Sequence, residues 1–292
     1  MTFLFEQSDT EIYASHAGLA VIGPLLNRHS GLKKRLKSIP LRHGIPHIDL
    51  IRTYVGQICQ GKNDFEAVEG VRQDPFFQRA LGIGRMPSSA RLRQRFDEQA
   101  EALTAAVDDC LAPLLKNLRA PVTPLSTGHV ALHADVFCLD NRKTRKEGVA
   151  RTYQGYDGYA PIGAYLGEEG WCVGLELRPG NQHSQKDFSF FLDRILPRAR
   201  LPSGKFATNA LVMALAAMAY NLLRYVGQNT LIGPDAPLRK ALHRRRIRTV
   251  MQEMIYKAAR LVRHGRRYIL RFGRGDPGYA ALAHCHAHVL TL

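Results

Sequence analysis

Asp135 is the residue of this 292-residue chain best placed for chemistry. It lies in the run 130–139, VALHADVFCL, which is apolar except for His133 and Asp135 and reads as a central strand. A carboxylate in a buried strand is costly unless it is paired or holds a metal. Carboxylates on a sheet can hold the Mg²⁺ ions of a phosphoryl-transfer site. A structural Asp bonded to a neighbouring Arg or backbone amide would look the same in sequence. Asp140 falls just past the strand end, as a second ligand or as the start of an Asp-Asn turn. Arg142, Lys143, Arg145, Lys146 and Arg151 follow in a basic loop, suited to sequence-independent phosphate contacts or simply solvated. Arg91, Arg93 and Arg95 crowd the first turns of a helix, where cations oppose the dipole. A phosphate held there would relieve them, and so would solvent screening. Arg244, Arg245, Arg246 and Arg248 belong to the stretch 239–274, which holds thirteen Lys or Arg and a single acid, Glu253. Such a run suggests a polyanion partner, nucleic acid above all, or a solvated basic helix. His284, Cys285, His286 and His288 form a short cluster that is a weak zinc signal. Gly155, Gly158 and Gly163 lack phosphate-loop spacing, so no nucleotide cofactor is implied.

These groups need elements to hold them. Leu92, Phe96, Leu103, Val107, Leu111, Leu114 and Leu118 recur at helical spacing and predict a helix over 89–118. Pro87-Ser88-Ser89 supplies its start signal. The stretch 119–129, RAPVTPLSTGH, has the composition of a boundary. Strand-like runs follow at 130–139, 159–166 and 171–177, the last two joined through Gly167-Glu168-Glu169-Gly170 as a hairpin. Next comes a helix with Ser184 and Asp187 at the capping-box offset and Phe188, Phe191, Leu192, Ile195 and Leu196 on its apolar face. An apolar helix is expected over 208–226. A basic amphipathic helix is expected after it, with Ile247, Val250, Met251, Met254, Ala258 and Leu261 on one face and Lys257, Arg260, Arg263 and Arg267 on others.

Composition narrows the class. Lys and Arg number 41 against 25 Asp and Glu, a net charge of +16. The last 92 residues hold only Asp235, Glu253 and Asp276, so a site needing several carboxylates must draw them from the front. Five scattered cysteines without a CxxC pair argue against a disulfide framework or a zinc ribbon. The first residues meet Glu6, Asp9 and Glu11 with no basic region before them, unlike a signal peptide. The longest uncharged run, 206–223, contains Thr208, Asn209 and Asn221 and reads as a buried core helix rather than a membrane span. The expectation is a soluble, cytoplasmic protein with no membrane partner.

The run HADVFCLDNRKTRKEGVARTYQGYDGYAPIGAYLGEEGWCVGLELRPGNQHSQKDFSFFL resembles the transposases of bacterial insertion sequences in the group named after insertion sequence thirteen-eighty. SHAGLAVIG, GKNDFEAVEGVRQDPFF and MPSSARLRQRFDE resemble the same group, as do LPSGKFATNALVMALAAMAYNLLR and RRRIRTVMQEMIYKAARLVRHGRRYILRFGR. These transposases belong to the DDE class. The resemblance implies a ribonuclease-H-like core and DNA transposition by metal-dependent strand cleavage and transfer. It also implies DNA (element ends and target) as partner, work at the bacterial nucleoid, and two Asp and a Glu that hold Mg²⁺. Asp135 matches the first acid, as catalytic and metal-binding residue.

The sequence also departs from the group. The family often has Asp-Val-Thr where this chain has Asp135-Val136-Phe137. In relatives, a segment like ILPRAR leads to a strand with the second Asp, a long insert and a helix with the Glu. Here Arg200 runs directly into Leu201-Pro202-Ser203-Gly204-Lys205, a segment that in relatives follows the Glu. One carboxylate cannot fix a pair of Mg²⁺ ions. The expected fold is α/β. An incomplete ribonuclease-H-like core at 128–200, a three-strand meander plus helix, lies between a helical, DNA-binding N-terminal region at 1–120 and a helical, strongly basic C-terminal region at 201–292. Such a core stops after three strands and leaves unpaired edges. The expected function is that of a transposase-family chain unable to cut DNA. The alternative is a DNA-binding remnant that competes with an intact transposase for DNA or for subunits of an oligomer.

Overall fold

The computed structural model describes residues 8, 10–41, 43–144, 146–195, 207–232, 236–238, 242–265 and 267–292. The chain opens with strand β1 (Ile12–Ala14) and helix α1 (Leu19–Pro24), which continues as a π-helical turn (Leu25–His29). Helices α2 (Leu32–Arg35), α3 (His47–Cys59), α4 (Pro75–Leu81) and α5 (Ser89–Asn117) follow. Six strands come next: β2 (Leu132–Val136), β3 (Leu139–Asp140), β4 (Ala150–Arg151), β5 (Asp157–Tyr159), β6 (Ile162–Leu166) and β7 (Trp171–Glu176). Then come α6 (Phe188–Ile195), α7 (Ala207–Thr230) and α8 (Ile247–Val250), the last extended by a π-helical turn (Met251–Ile255). Strands β8 (Ala259–His264) and β9 (Arg267–Phe272) and helix α9 (Tyr279–Thr291) complete the order. The architecture is mixed α/β with small antiparallel sheets.

Local chemistry sets the helix ends. Asp74 accepts from Phe76 N–H and Phe77 N–H (2.8 and 3.1 Å), Pro75 opens α4, and Gly82 closes it at φ +69°. At α5, Ser88 Oγ accepts from Arg91 N–H (3.3 Å) and Glu69 accepts from Ser89 N–H (2.8 Å). Leu92, Phe96, Leu103, Val107, Leu111 and Leu114 form the buried stripe of α5, which packs along α7. Thr208 Oγ1 donates to Phe96 O (3.2 Å) and Asp97 Oδ1 (3.0 Å), so α7 starts beside the first third of α5. The stretch Ala210–Thr230 is long and apolar enough to cross a membrane, but 72% of its most apolar window is buried inside the protein, as in a core helix. One cluster of buried side chains reaches from Ala14 through Leu111 and Trp171 to Val289, so the front, middle and back of the chain share a core.

The middle of the chain forms an α/β layer. Strands β2, β6 and β7 pair antiparallel in that order, and the turn between β6 and β7 carries Gly167 and Gly170, both at φ +71°. Leu132, Ala134, Val136, Ile162 and Ala164 pack with Phe191 and Ile195 of α6 on one face of the sheet. Arg178 and Arg194 both donate to Glu176 (3.0 and 2.7 Å) and tie α6 to β7. The expected single strand over 159–166 divides into β5 and β6, and β5 joins β3 and β4 in a second small sheet. α6 starts at Phe188 rather than at Ser184, so the expected capping box does not set its beginning.

Two expectations are corrected. The Asp135 strand is not central: among the described residues β2 is an edge, paired only with β6. Along β2, His133 and Asp135 are exposed, on the face turned away from α6. The basic tail is not one amphipathic helix. It has one helical turn and one π turn and then becomes the β8–β9 hairpin, whose third strand is β1 at the other end of the chain. Ala259 pairs with both Ala14 and Phe272, and these face the core. A window of local sequence cannot show a strand whose partner lies about 245 residues away in the chain.

Candidate nucleic-acid interface

A cavity of about 610 Å³ opens between α7, the β6–β7 turn and the segment 244–246. Its floor is built by α7. Tyr220 donates its hydroxyl to Gly170 O (2.9 Å) and accepts from Arg224 Nη2 (2.7 Å). Arg224, 5% exposed, also donates from Nη1 to Arg245 O (2.5 Å). A lone cation on an apolar helix is costly to bury unless it is bonded in this way. One helix thereby fixes both the β6–β7 turn and the basic segment. His133 and Tyr165, opposite each other across β2 and β6, form the sheet side of the cavity. Burial, reinforced by Cys172, Tyr220 and Asp135, pushes Tyr165 up to about 12, so its hydroxyl stays neutral and can donate. Arg244 and Arg246 at the mouth are exposed. The one acid of the lining, Glu168, faces His243 at 3.7 Å. A recess with Arg224, Arg244 and Arg246 on its walls and one acid suits a phosphate.

The basic residues singled out in the sequence divide into three kinds. Arg244, Arg246 and Arg248 are exposed, whereas Arg245 is buried and donates to Leu231 O (2.9 Å) and Leu238 O (3.0 Å). In the loop after β3, Arg142 binds Asp140 through two nitrogens (2.9 and 2.5 Å) and lies over the Tyr156 ring. Hydrogen bonds from Arg142, side chain first and then backbone, hold the Asp140 carboxyl below its ordinary range, so this acid is already spoken for. Lys143, Lys146 and Arg151 are exposed, and Arg145 lies outside the described residues. At the start of α5, Arg93 pairs with Glu66 (2.6 Å), Arg91 donates to Gln94 (3.1 Å), and buried Arg95 lies 3.8 Å from Glu98. Glu69, bonded to Ser89 N–H, supplies the anion that this helix start favours, so no phosphate is needed to explain it.

Asp135 stands apart from these groups. Among the described residues its carboxylate accepts one hydrogen bond, from the N–H of Val136 (2.8 Å). Tyr153 reaches the same strand end by donating to Val136 O (3.3 Å). The histidine cluster lies on α9, with Cys285 buried and His284 and His288 exposed. No group of three His, Cys, Asp or Glu placed to hold a metal occurs among the described residues.

The sequence profile described as Transposase DDE domain group 1 matches residues 11–201. The chain belongs to the DDE transposase family. For a DDE transposase the substrate is DNA and the usual cofactor is Mg²⁺. No curated protein and no solved structure matches the chain. Mg²⁺ does not fit the described residues: Asp135 offers one carboxylate at an exposed edge, and Asp140 is bound to Arg142. The join at Arg200 lies outside the described residues.

Nothing in the local sequence marks His133, Tyr165 or Tyr220 as possible contacts. Arg224 had a signal: it is the cation that ends the long uncharged run, four residues after Tyr220.

Proposed function

We propose that this transposase-family chain belongs to the group named after insertion sequence thirteen-eighty and binds DNA without cutting it. The observation that carries this reading is Asp135, which among the described residues stands on an edge strand and accepts a hydrogen bond only from its neighbour's N–H. Supporting it, the family match ends at residue 201, next to Arg200, where the resemblance implies that a stretch has been lost. On this reading β2, β6, β7 and α6 are what remains of a ribonuclease-H-like core after an internal loss that took the second and third acids. The exposed Arg244, Arg246, Arg248, Lys143, Lys146 and Arg151 contact phosphates, with Arg91 and Arg93 as outlying candidates. A chain of this kind, at the nucleoid, competes with an intact transposase for element ends or for places in its oligomer.

The test incubates the purified chain with its own element ends and Mg²⁺. No nicking is expected, from the wild type or from Asp135→Ala. Nicking by the wild type that disappears in Asp135→Ala overturns the reading. Gel-shift titration at two salt concentrations tests the binding half, because affinity carried by phosphate contacts falls steeply with salt.

A further inference from the structure

The β8–β9 hairpin carries a second basic surface. Its inner face, Ala259, Leu261, Leu270 and Phe272, packs on the core. Its outer face sets Arg260 opposite Arg271, Val262 opposite Ile269 and His264 opposite Arg267. Like charges opposite each other across a sheet destabilise it. Glu11 compensates Arg260, but among the described residues no acid pairs with Arg263, Arg267, Arg271 or Arg274. β1 reaches only Ala259–Leu261, so the outer half, from Val262 to the turn at Gly265 (φ +59°) and back to Ile269, is a two-stranded ribbon. On that ribbon Tyr268 is 50% and Ile269 39% exposed, and Arg79 lies over the Tyr268 ring at 4.8 Å. Charge alone would protect a sheet edge from pairing. Protection does not call for an exposed Tyr and Ile between the cations.

We infer that the tip of the β8–β9 hairpin is a DNA-contacting ribbon that enters a groove of duplex DNA, with Arg267, Ile269 and Arg271 on its outer face and Arg263 and Tyr268 on the opposite face, so that the three arginines reach the phosphates on the two sides of the groove. This rests on the reading that the chain binds DNA and adds a surface to it. The occupant is argued from charge complementarity and from shape, since a two-stranded ribbon fits the major groove, which is about 12 Å wide.

The test measures anisotropy of a fluorescein-labelled duplex about 30 base pairs long across a salt series. The proteins are the full-length wild type, the triple variant Arg263→Ala, Arg267→Ala, Arg271→Ala, and the same triple to Lys. The slope of log affinity against log salt should shrink by about 2 to 3 in the Ala triple and be retained in the Lys triple. The single Arg267→Glu, beside the turn, should weaken binding without changing the thermal midpoint and keeps the test open if the Ala triple does not fold. An unchanged slope in the Ala triple, with wild-type binding intact, overturns the ribbon and leaves the DNA reading standing. So does loss of binding to a polyglutamate peptide or single-stranded RNA but not to the duplex. Absence of wild-type binding at low salt overturns the DNA reading itself.

Discussion

Asn221→Leu is the sharpest probe of how the core helix builds the basic cavity. Asn221 is fully buried on α7; its Oδ1 accepts from Cys172 N–H (2.9 Å) and its Nδ2 donates to Cys172 O (2.8 Å). Among the described residues β7 has no strand on its outer side, so the Asn side chain completes the ladder there in place of a neighbouring backbone. The register between β6 and β7 slips at this point, with Tyr165 opposite Cys172 but Ala164 opposite Gly174. Leu matches Asn in the number and branching of its side-chain heavy atoms and is bulkier, so it leaves no cavity, and the calculable loss comes from two stranded backbone groups. Each costs about 1–3 kcal/mol when buried without a partner, so about 2–6 kcal/mol together is expected. For a protein of this size that lowers the thermal midpoint by roughly 3–10 °C, measured by circular dichroism or calorimetry. Tyr220 and Arg224 hang on the same helix, so DNA affinity should fall as well. Asn221→Asp keeps the acceptor for Cys172 N–H but sets an oxygen against Cys172 O. Its carboxyl is therefore raised in the folded state, and its deficit should shrink as pH is lowered and the protonated acid again donates. A midpoint for Asn221→Leu within about 2 °C of the wild type would refute the idea that this side chain anchors β7.

Further outcomes follow from other pairs. Arg245→Ala should cost about 2–4 kcal/mol, because Leu231 O and Leu238 O lose a buried donor, whereas exposed Arg244→Ala should leave the thermal midpoint unchanged and reduce the salt slope of DNA binding by about 1. Asp74→Ala removes a helix cap and should cost about 1–2 kcal/mol in denaturant unfolding. Burial alone would raise the Asp74 carboxyl, but the His16 imidazole 3.2 Å away and the N–H groups of Phe77 and Phe76 carry it below the ordinary range. Its contribution is therefore complete above the ordinary Asp value near 3.8 and drains as pH falls below it, so midpoints of wild type and Asp74→Asn should converge in acid. Of the five cysteines, Cys138 is partly exposed and the others are buried, with Cys172 and Cys285 pushed up to about 12 by burial. A thiol reagent should modify Cys138 first and reach the other four only on unfolding.

The parts of the fold that were legible in sequence are those whose cause is local. The stripe from Leu92 to Leu114 recurs at helical spacing and lies on a helix of nearly the expected bounds, and the pair of glycines at 167 and 170 sits in the expected turn. The tail misled because Ile247, Val250, Met251 and Met254 do start a helical turn, while Ala259 and Leu261 alternate with Arg260 and Val262 as a strand does. The strand reading wins because β1 and β9 supply partners, which is a fact of tertiary structure. Asp135 was legible as a residue out of place, but not its exposure. Whether a strand is central or an edge depends on which neighbours exist, and the apolar run around it looks the same in either case. Arg95 and Arg245 show the same limit from the other side: an arginine in a basic run can be a structural donor facing inward.

The topology also bears on how such a chain could arise. Strands β2 to β7 and helix α6 lie in sequence between α5 and α7, and those two helices pack on each other directly. The α/β layer is thus carried between two packed helices and joined to their core through Trp171 and Cys172 of β7, while β1 and β8 pair elsewhere on the body. Halving or doubling the length of such a loop changes its closure cost by only about 0.6 kcal/mol. On the proposed reading, one in-frame loss that spared β7 would strip out catalysis and leave the shared core in place. Turning an enzyme into its own competitor would then take a single genetic event, with no new surface to evolve.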